Sequence, residues 1–309
     1  MKLYNYLWWC PSPVSTWIIC CFTVNQIKPY LRHPSLIHTL PRDDGCVYGI
    51  AVLYGDVFVV RSVIPEIEVY RCTTTWILTR RLPVKKLKLP VDMTSCSKFG
   101  CLYVADRSAN VVHRVELRGK TTRWKVNDTP QGLSVTQQPD CLVLVTCCET
   151  RTLRRFTTEG RLMKVTQLQE DLVRPFHASG CVVCHGWLDD PLHAVSMIDS
   201  DGHVDRSFGG PSGSSLPERQ LNNPRHLAVD TEGNVLVADC CNERILLLNS
   251  TLSNVRELIS GPSFGRPTPT KPWRLCLDEV RGMLFVVDGD EKHSDILIFQ
   301  VKCAGLVTC

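Results

Sequence analysis

Three runs in this chain end alike: Tyr103-Val-Ala-Asp106, Leu236-Val-Ala-Asp239 and Phe285-Val-Val-Asp288. Weaker copies end at Arg61 (FVVR), Cys147 (LVTC) and His185 (VVCH). These six ends, at 61, 106, 147, 185, 239 and 288, lie 45, 41, 38, 54 and 49 residues apart. A unit of roughly 40–50 residues built from several short strands has the spacing of propeller blades. Such a unit cannot bury both faces of its own sheet. Stacked radially, the faces of neighbouring units become the core.

The unit has internal punctuation. Asp230-Thr-Glu-Gly233 predicts a tight turn between the first and second strands of its blade, and Asp278-Glu-Val-Arg-Gly282 does the same in the last. The longest interval contains GGPSGSSLPERQ (209–220), a Gly/Ser/Pro connection that accounts for its extra length. The last unit supplies only three clear strands: PWRLCLD, GMLFVVD and DILIFQV. SLIHTLP (35–41) precedes the first complete unit and is the expected fourth. Pairing the start of the ring with its end removes a free sheet edge. The predicted fold is therefore all-β: a six-bladed propeller of four-stranded antiparallel blades over residues 35–303, with an unassigned extension (1–34) and a short tail (304–309).

Composition fits. Of 309 residues, 44% are hydrophobic and 21% charged, which excludes a disordered chain. The 17 cysteines fall mostly inside apolar runs such as CLYVAD, CLVLVTCC and LCLD, where a thiol acts as a small buried hydrophobe. That favours reduced thiols and a cytoplasmic location. In the pairs Cys147-Cys148 and Cys240-Cys241, one member should face the core and the other the loop, with no redox role indicated by sequence. The alternative is secretion, if the apolar residues 1–24 are a signal peptide. Pro11 and Pro13 interrupt that segment, and its longest unbroken apolar stretch, Trp17 to Phe22, is too short to span a bilayer. No membrane partner is expected unless this segment is a signal or an anchor.

LNNPRHLAVDTEGNVLVADCCNERILLLN (221–249) resembles the NHL repeat, with Pro before the first strand, an apolar-x-apolar-Asp, a Gly turn, apolar-Val-Ala-Asp, then Asn-x-Arg-Ile. The likeness weakens along the rest of the ring. It is similar to the C-terminal propeller of TRIM-NHL and malin-like ubiquitin ligases, which implies a recognition domain for protein or RNA. Those relatives also carry a RING and often B-boxes. The paired Cys/His ligands of such zinc modules are missing here, since the one Cys-x-x-Cys, Cys181 to Cys184, sits in a strand pattern that points its members to opposite faces. The resemblance thus implies at most the substrate-targeting part of such a ligase, not ubiquitin transfer.

The family resemblance places partners on the face made by loops leading into first strands and loops joining second to third strands. The first set holds Arg174, Arg225, Trp273 and Arg274; the second holds Arg61, Arg107, Asn110, Arg151, Asn242 and Arg244. Seven arginines and an aromatic on one face would suit phosphates and unstacked bases. The alternative is that they bind the strand-ending aspartates within their own loops. Residues 71–126 carry 13 Lys/Arg and 3 Asp/Glu, a net +10 in a chain of +4, centred on TRRLPVKKLKLP (79–90). This stripe would attract RNA, but it also reads as an outermost strand whose lysines protect a sheet edge. Aspartates 189, 190, 199, 201 and 205 make blade four acidic.

His177 and His226 occupy matching places in adjacent first strands and could face the central channel. Some related six-bladed propellers are lyases or lactonases with a metal held there. The corresponding Gly132 and Arg274 supply no third ligand, and Arg274 would repel a cation. Structural histidines are expected, with no metal and no cofactor. Neither a nucleophile elbow nor a phosphate-cradling loop is present. The expected function is non-catalytic recognition of a protein, with RNA second, a metal-dependent lyase a distant third, and no DNA partner.

Overall fold

A computed structural model describes residues 30–40, 45–62, 64–136, 141–169, 175–179, 182–186, 192–211, 220–265, 270–289 and 294–302. Within them the chain forms six four-stranded antiparallel sheets. Blade 1 contains β2–β5 (Val47–Leu53, Asp56–Arg61, Glu66–Cys72, Trp76–Pro83). Blade 2 contains β6–β9 (Pro90–Cys96, Cys101–Asp106, Val111–Glu116, Thr121–Lys125), and blade 3 contains β10–β13 (Gly132–Val135, Val143–Cys147, Thr152–Phe156, Leu162–Gln167). Blade 4 contains β14–β17 (Pro175–Ser179, Val182–His185, Leu192–Ile198, Val204–Pro211), and blade 5 contains β18–β21 (Pro224–Val229, Val235–Asp239, Arg244–Leu248, Val255–Ser260). Blade 6 combines β22–β24 (Pro272–Asp278, Met283–Gly289, Ser294–Lys302) with the first strand of the chain, β1 (Tyr30–Leu40). The repeat, its count and the closing strand are as the spacing predicts.

The first-to-second-strand turns form for local reasons. Asp230 Oδ1 accepts from the Glu232 and Asn234 amides at 3.0 and 2.8 Å, and the Gly233 amide donates to the Asp230 carbonyl at 3.0 Å. Gly233 needs φ +82°, a region glycine enters without steric cost. At the ring's inner circumference Gly49 serves a different purpose. A Cβ there would lie 2.6 Å from the Cβ and the amide nitrogen of Met93, so the innermost strands of blades 1 and 2 meet only because that side chain is missing.

The core lies between blades, not within them. Buried apolar side chains gather in six clusters, each shared by adjacent sheets. Between blades 5 and 6, for instance, Leu236, Leu247 and Phe264 pack with Leu284, Leu297 and Phe299. Each such side chain contributes roughly 1.5–3 kcal/mol when fully buried. A blade without its neighbours would forfeit this on both faces.

Closure is covalently cheap and electrostatically locked. β1 pairs antiparallel with β24, Leu36 opposite Phe299 and Leu40 opposite Ile296. The register is irregular between Tyr30 and Ser35, where Pro34 has no amide to give. The Tyr30 hydroxyl donates to Asp230 Oδ2 at 3.1 Å. Lys302 Nζ, at the end of β24, lies 3.2 Å from that oxygen, 3.2 Å from Glu279 Oε1 and 4.3 Å from the Tyr30 ring centre. Burial, then Asp230, push the Tyr30 phenol far above its usual range, so it stays a donor.

The basic stripe divides. Thr79 to Pro83 belongs to the outer strand β5, whereas Lys85, Lys86 and Lys88 lie in the loop leading into blade 2. There the Lys88 amide donates to Asp106 Oδ2 at 2.9 Å. The strand reading therefore stops at Pro83, because Asp106 draws the following residues into a loop.

Two expectations follow. A chain lacking residues 1–40 should lose cooperative urea unfolding, since blade 6 would be left with three strands. Lys302→Met should lower the unfolding free energy by about 3–5 kcal/mol by stranding buried Asp230, a loss that adding Asp230→Asn should partly reverse.

Candidate binding face and the channel beneath it

One irregularity recurs at the same place in the innermost strands. Register shifts fall between Val47 and Gly49, Pro90 and Asp92, Pro175 and His177, Pro224 and His226, and Pro272 and Arg274. Four of the five begin with proline, which cannot donate to the ladder and suits a strand's first position. A bulge sets two residues against one and bends the strand. In blades 1, 2, 5 and 6 the bulged strand therefore brings two successive side chains to the mouth of the central channel, whereas β10 of blade 3 pairs without a shift.

The inner residue of each pair forms a ring: Gly49, Asp92, His177, His226 and Arg274, with Gly132 at the equivalent register in blade 3. Asp92, Arg274 and His226 are 1, 5 and 7% exposed and reach across the channel to one another. Arg274 Nε and His226 Nε2 lie 3.7 and 3.6 Å from Asp92 Oδ1. The guanidinium donates to three carbonyls: Tyr48 at 3.1 Å, Trp273 at 3.0 Å and Val91 at 2.7 Å. Asp92 Oδ2 accepts from the Leu133 amide at 2.8 Å, and His226 Nδ1 from the Leu275 amide at 3.4 Å. Blades 1, 2, 3, 5 and 6 are thus joined by one buried polar cluster.

Burial pulls the His226 imidazole below its ordinary range; Asp92 opposes this and Arg274 reinforces it. The cluster does not fit a metal. A guanidinium already neutralises the one carboxylate, and among the described residues no group of three or more His, Cys, Asp or Glu could hold an ion. His177 occupies its ring position, with its side chain outside the described set. Below this plug the channel widens into a cavity of about 270 Å³ lined by Ser95, Ser134, His226 and Cys276. A second space of about 410 Å³, beside Ser97, Thr136 and Thr231, opens at the opposite face.

The outer residue of each pair sits at the mouth: Tyr48, Val91, Arg225 and Trp273, with Gln131 in blade 3. Tyr48 and Trp273 pack at a tilt of 58° with ring centres 5.5 Å apart, and the Arg274 guanidinium lies 5.4 Å from the indole. Trp273 is 8% exposed, whereas Tyr48 and Arg225 are half-buried.

The remaining predicted face residues divide between structure and surface. Arg61, 2% exposed, pairs with buried Glu68 at 2.9 Å and donates to the Gly45 carbonyl at 3.1 Å. It is part of the interior rather than the open face, because the second-strand end points back toward the loop. Arg244 donates to Asp239 Oδ2 at 2.8 Å and to the Gln220 carbonyl at 2.6 Å, and the Asn242 amide bonds the same two partners. Asp239 in turn accepts from the Asn222 amide at 2.7 Å, just as Asp106 and Asp288 hold the Lys88 and Lys271 amides. Strand-ending aspartate is therefore a loop clamp, and Arg61 performs that task with reversed polarity.

Arg107, Asn110 and Arg151 do lie at the surface, the last two in turns with φ +53°. Arg107 is 3.6 Å from Glu149, both exposed, a pair of little energetic weight. Arg174 lies outside the described residues. The arginines therefore do not converge: three are consumed internally. Asp92 is the residue the sequence reading missed. Its signal was available, since Pro90-Val-Asp92 repeats the spacing of Pro224-Arg-His226.

The NHL-repeat family model matches residues 221–246. A search of curated proteins returns no match. Among solved structures, a streptogramin B lyase superposes with TM-score 0.58 at 12% identity, covering 84% of this chain and 94% of that one. A catalytically inactive virginiamycin B lyase variant from Staphylococcus aureus with quinupristin gives 0.56 at 15%, covering 88% of each chain. The WD40 propeller domain of Doa1 gives 0.54 at 14%, covering 86% and 96%. At these identities the likeness is one of fold.

Arg274→Leu should cost about 3–5 kcal/mol by leaving the buried Asp92 carboxylate without its guanidinium; in a double-mutant cycle by urea denaturation, Asp92→Asn should couple to it strongly. Buried histidines also set an acid limit. Burial draws His185 down to about 4 and lowers His113 and His226 as well. Below pH about 6.5 the unfolded chain then binds protons that the folded chain excludes, so stability falls with pH. His185 alone accounts for about 3 kcal/mol between pH 7 and 4, and His185→Gln should flatten that part of a stability–pH curve.

Proposed function

We propose that this propeller is a non-catalytic recognition module that holds a protein partner on the face bearing Tyr48, Trp273 and Arg225. The carrying observation is the bulge pair: its inner residues close the channel with a self-satisfied ion cluster, and its outer residues place two aromatics and an arginine at the mouth. Trp, Tyr and Arg are the side chains that concentrate binding energy at the centres of protein interfaces. The plug also argues against lyase chemistry at this end, since Asp92 and His226 already have Arg274 and backbone amides as partners.

RNA is the second reading. It would rest on Arg107, Arg151 and Arg225 with the basic rim of blades 1 and 2, because Arg61, Arg244 and Arg274 are spent internally. The resemblance to TRIM-NHL and malin-like ligases extends the proposal: the partner would be a substrate presented to a ubiquitin-transfer machinery carried elsewhere, in the reducing cytoplasm. The eleven described cysteines, all free thiols and mostly buried, are compatible with that compartment.

Photo-crosslinkable residues at Arg225 and Lys271 should capture protein in cells, while one at Val280, 82% exposed in a turn of the opposite face, should not. Arg225→Glu should abolish capture from Lys271 without changing the melting temperature. Equal capture from both faces would discard the proposal. Capture of RNA alone, released steeply by salt, would replace it with the second reading.

A further inference from the structure

Below the inner slot the channel holds a space that the recognition face does not use. Two residues on from that slot stand Ala51, Thr94, Ser134, Ala228 and Cys276, and side chains this small leave room for the cavity of about 270 Å³ that they line. Three residues on stand Val52, Ser95, Val135, Val229 and Leu277. All five line the same cavity, and all five are half-buried. Aliphatic side chains from blades 1, 3, 5 and 6 thus keep part of their surface in a void inside the ring. Covering such surface is favourable, and a largely apolar pocket with a few polar groups is the usual form of a small-molecule site.

The space opens on the face opposite the aromatic pair. It adjoins the second space, of about 410 Å³, at Ser95 and Val135, which line both. Ser97, Thr136 and Thr231 border that second space from blades 2, 3 and 5. Tyr54, 68% exposed, donates to the Ser97 carbonyl at 2.6 Å and sets an aromatic ring beside the opening. Three strand residues rise about 10 Å, a depth that suits a molecule of one or two rings.

The lining also carries a charge preference. Among the described residues that border either space, none is Asp, Glu, Lys or Arg. At the upper end burial keeps His226 neutral, with Asp92 beside one ring nitrogen and the Leu275 amide on the other. Burial, then Asp278, push the Cys276 thiol up to about 12, so it too stays neutral. An ion entering here would shed water with no counter-charge to meet it. Ser95 Oγ donates to the Val52 carbonyl at 2.7 Å, which leaves its lone pairs to accept from a guest.

We propose that the lower channel binds an uncharged small molecule with a compact apolar body and one hydroxyl or amide donor. The body covers the aliphatic collar, and the donor meets Ser95. Entry is from the face bearing Tyr54. The site is therefore separate from the one proposed for a protein partner, and either can hold without the other.

The test uses the full chain with its five methionines carrying ¹³C-methyl groups. Met93 lines the cavity, whereas Met163 sits half exposed on the outer strand of blade 3. Three probes share one body and differ in charge: 2-naphthol, 2-naphthoate and 2-naphthylmethylammonium, each titrated at pH 7. Neutral 2-naphthol should shift the Met93 methyl signal saturably and leave that of Met163 in place. The two ions should bind at least about tenfold more weakly. Val135→Phe and Ala228→Leu, which fill the space from different blades, should each weaken the 2-naphthol response about tenfold or more without lowering the melting temperature. Should a filled variant fail to fold, the charge series on the unaltered chain still decides. A Met93 signal unmoved by 2-naphthol up to its solubility, equal responses to all three probes, or a shift at Met163 as large as at Met93 would each overturn the proposal.

Discussion

None of the six sheets has a core of its own. Every buried cluster among the described residues is shared between two blades, so the ring is stable only as a ring, and it is complete only where the chain meets itself. The fourth strand of blade 6 comes from the opposite end of the sequence, and the junction is sealed by Tyr30 and Lys302 converging on Asp230. Asp230 also shapes the first turn of blade 5. One carboxylate therefore couples a local turn to global closure. A buried charge in that position adds little net stability over an apolar substitute, but strongly penalises any register that leaves it alone. Its effect is to specify where the ring closes.

Closure fixes the innermost strands, and the bulge then decides what those strands present. In blades 1, 2, 5 and 6 an extra residue just inside the strand start doubles the side chains delivered to the channel mouth. The inner position became a plug: Asp92, His226 and Arg274 satisfy one another and the neighbouring backbones across five blades. The two ends of the channel differ in chemistry. The upper mouth carries aromatic and cationic groups, whereas the lower cavity is lined by hydroxyls and apolar strand residues.

Much of this was legible beforehand, and the limits of legibility have a physical origin. The repeat spacing, the Asp-Thr-Glu-Gly turn, the closing strand and the inward-outward split of the paired cysteines all depend on chain-local pattern, and all appear in the structure. Arg61 and Arg244 were placed in the correct loops, but a sequence does not record which way a long side chain turns. Both turn inward because a buried partner waits there, Glu68 in one case and Asp239 in the other. Asp92 is not conspicuous in the sequence because the aspartate lies inside a strongly basic stretch. Its role depends on register across the ring, where His226 and Arg274 become neighbours despite being 134 and 182 residues away in sequence.

The same register argument explains how a six-fold backbone avoids six-fold chemistry. At the inner slot the chain uses Gly, Asp, Gly, His, His and Arg in turn, so the cluster has a direction, with its carboxylate toward blade 2 and its guanidinium toward blade 6. At the outer slot the aromatics Tyr48 and Trp273 fall on adjacent blades 1 and 6, beside Arg225 of blade 5. The mouth is thereby polarised toward one side of the disc. A partner meeting this face encounters one anchored sector rather than a uniform rim, and a rigid sector costs little conformational entropy to engage. Symmetry in the backbone supplies the rigidity; asymmetry in the inner and outer slots supplies the chemical polarity of the mouth.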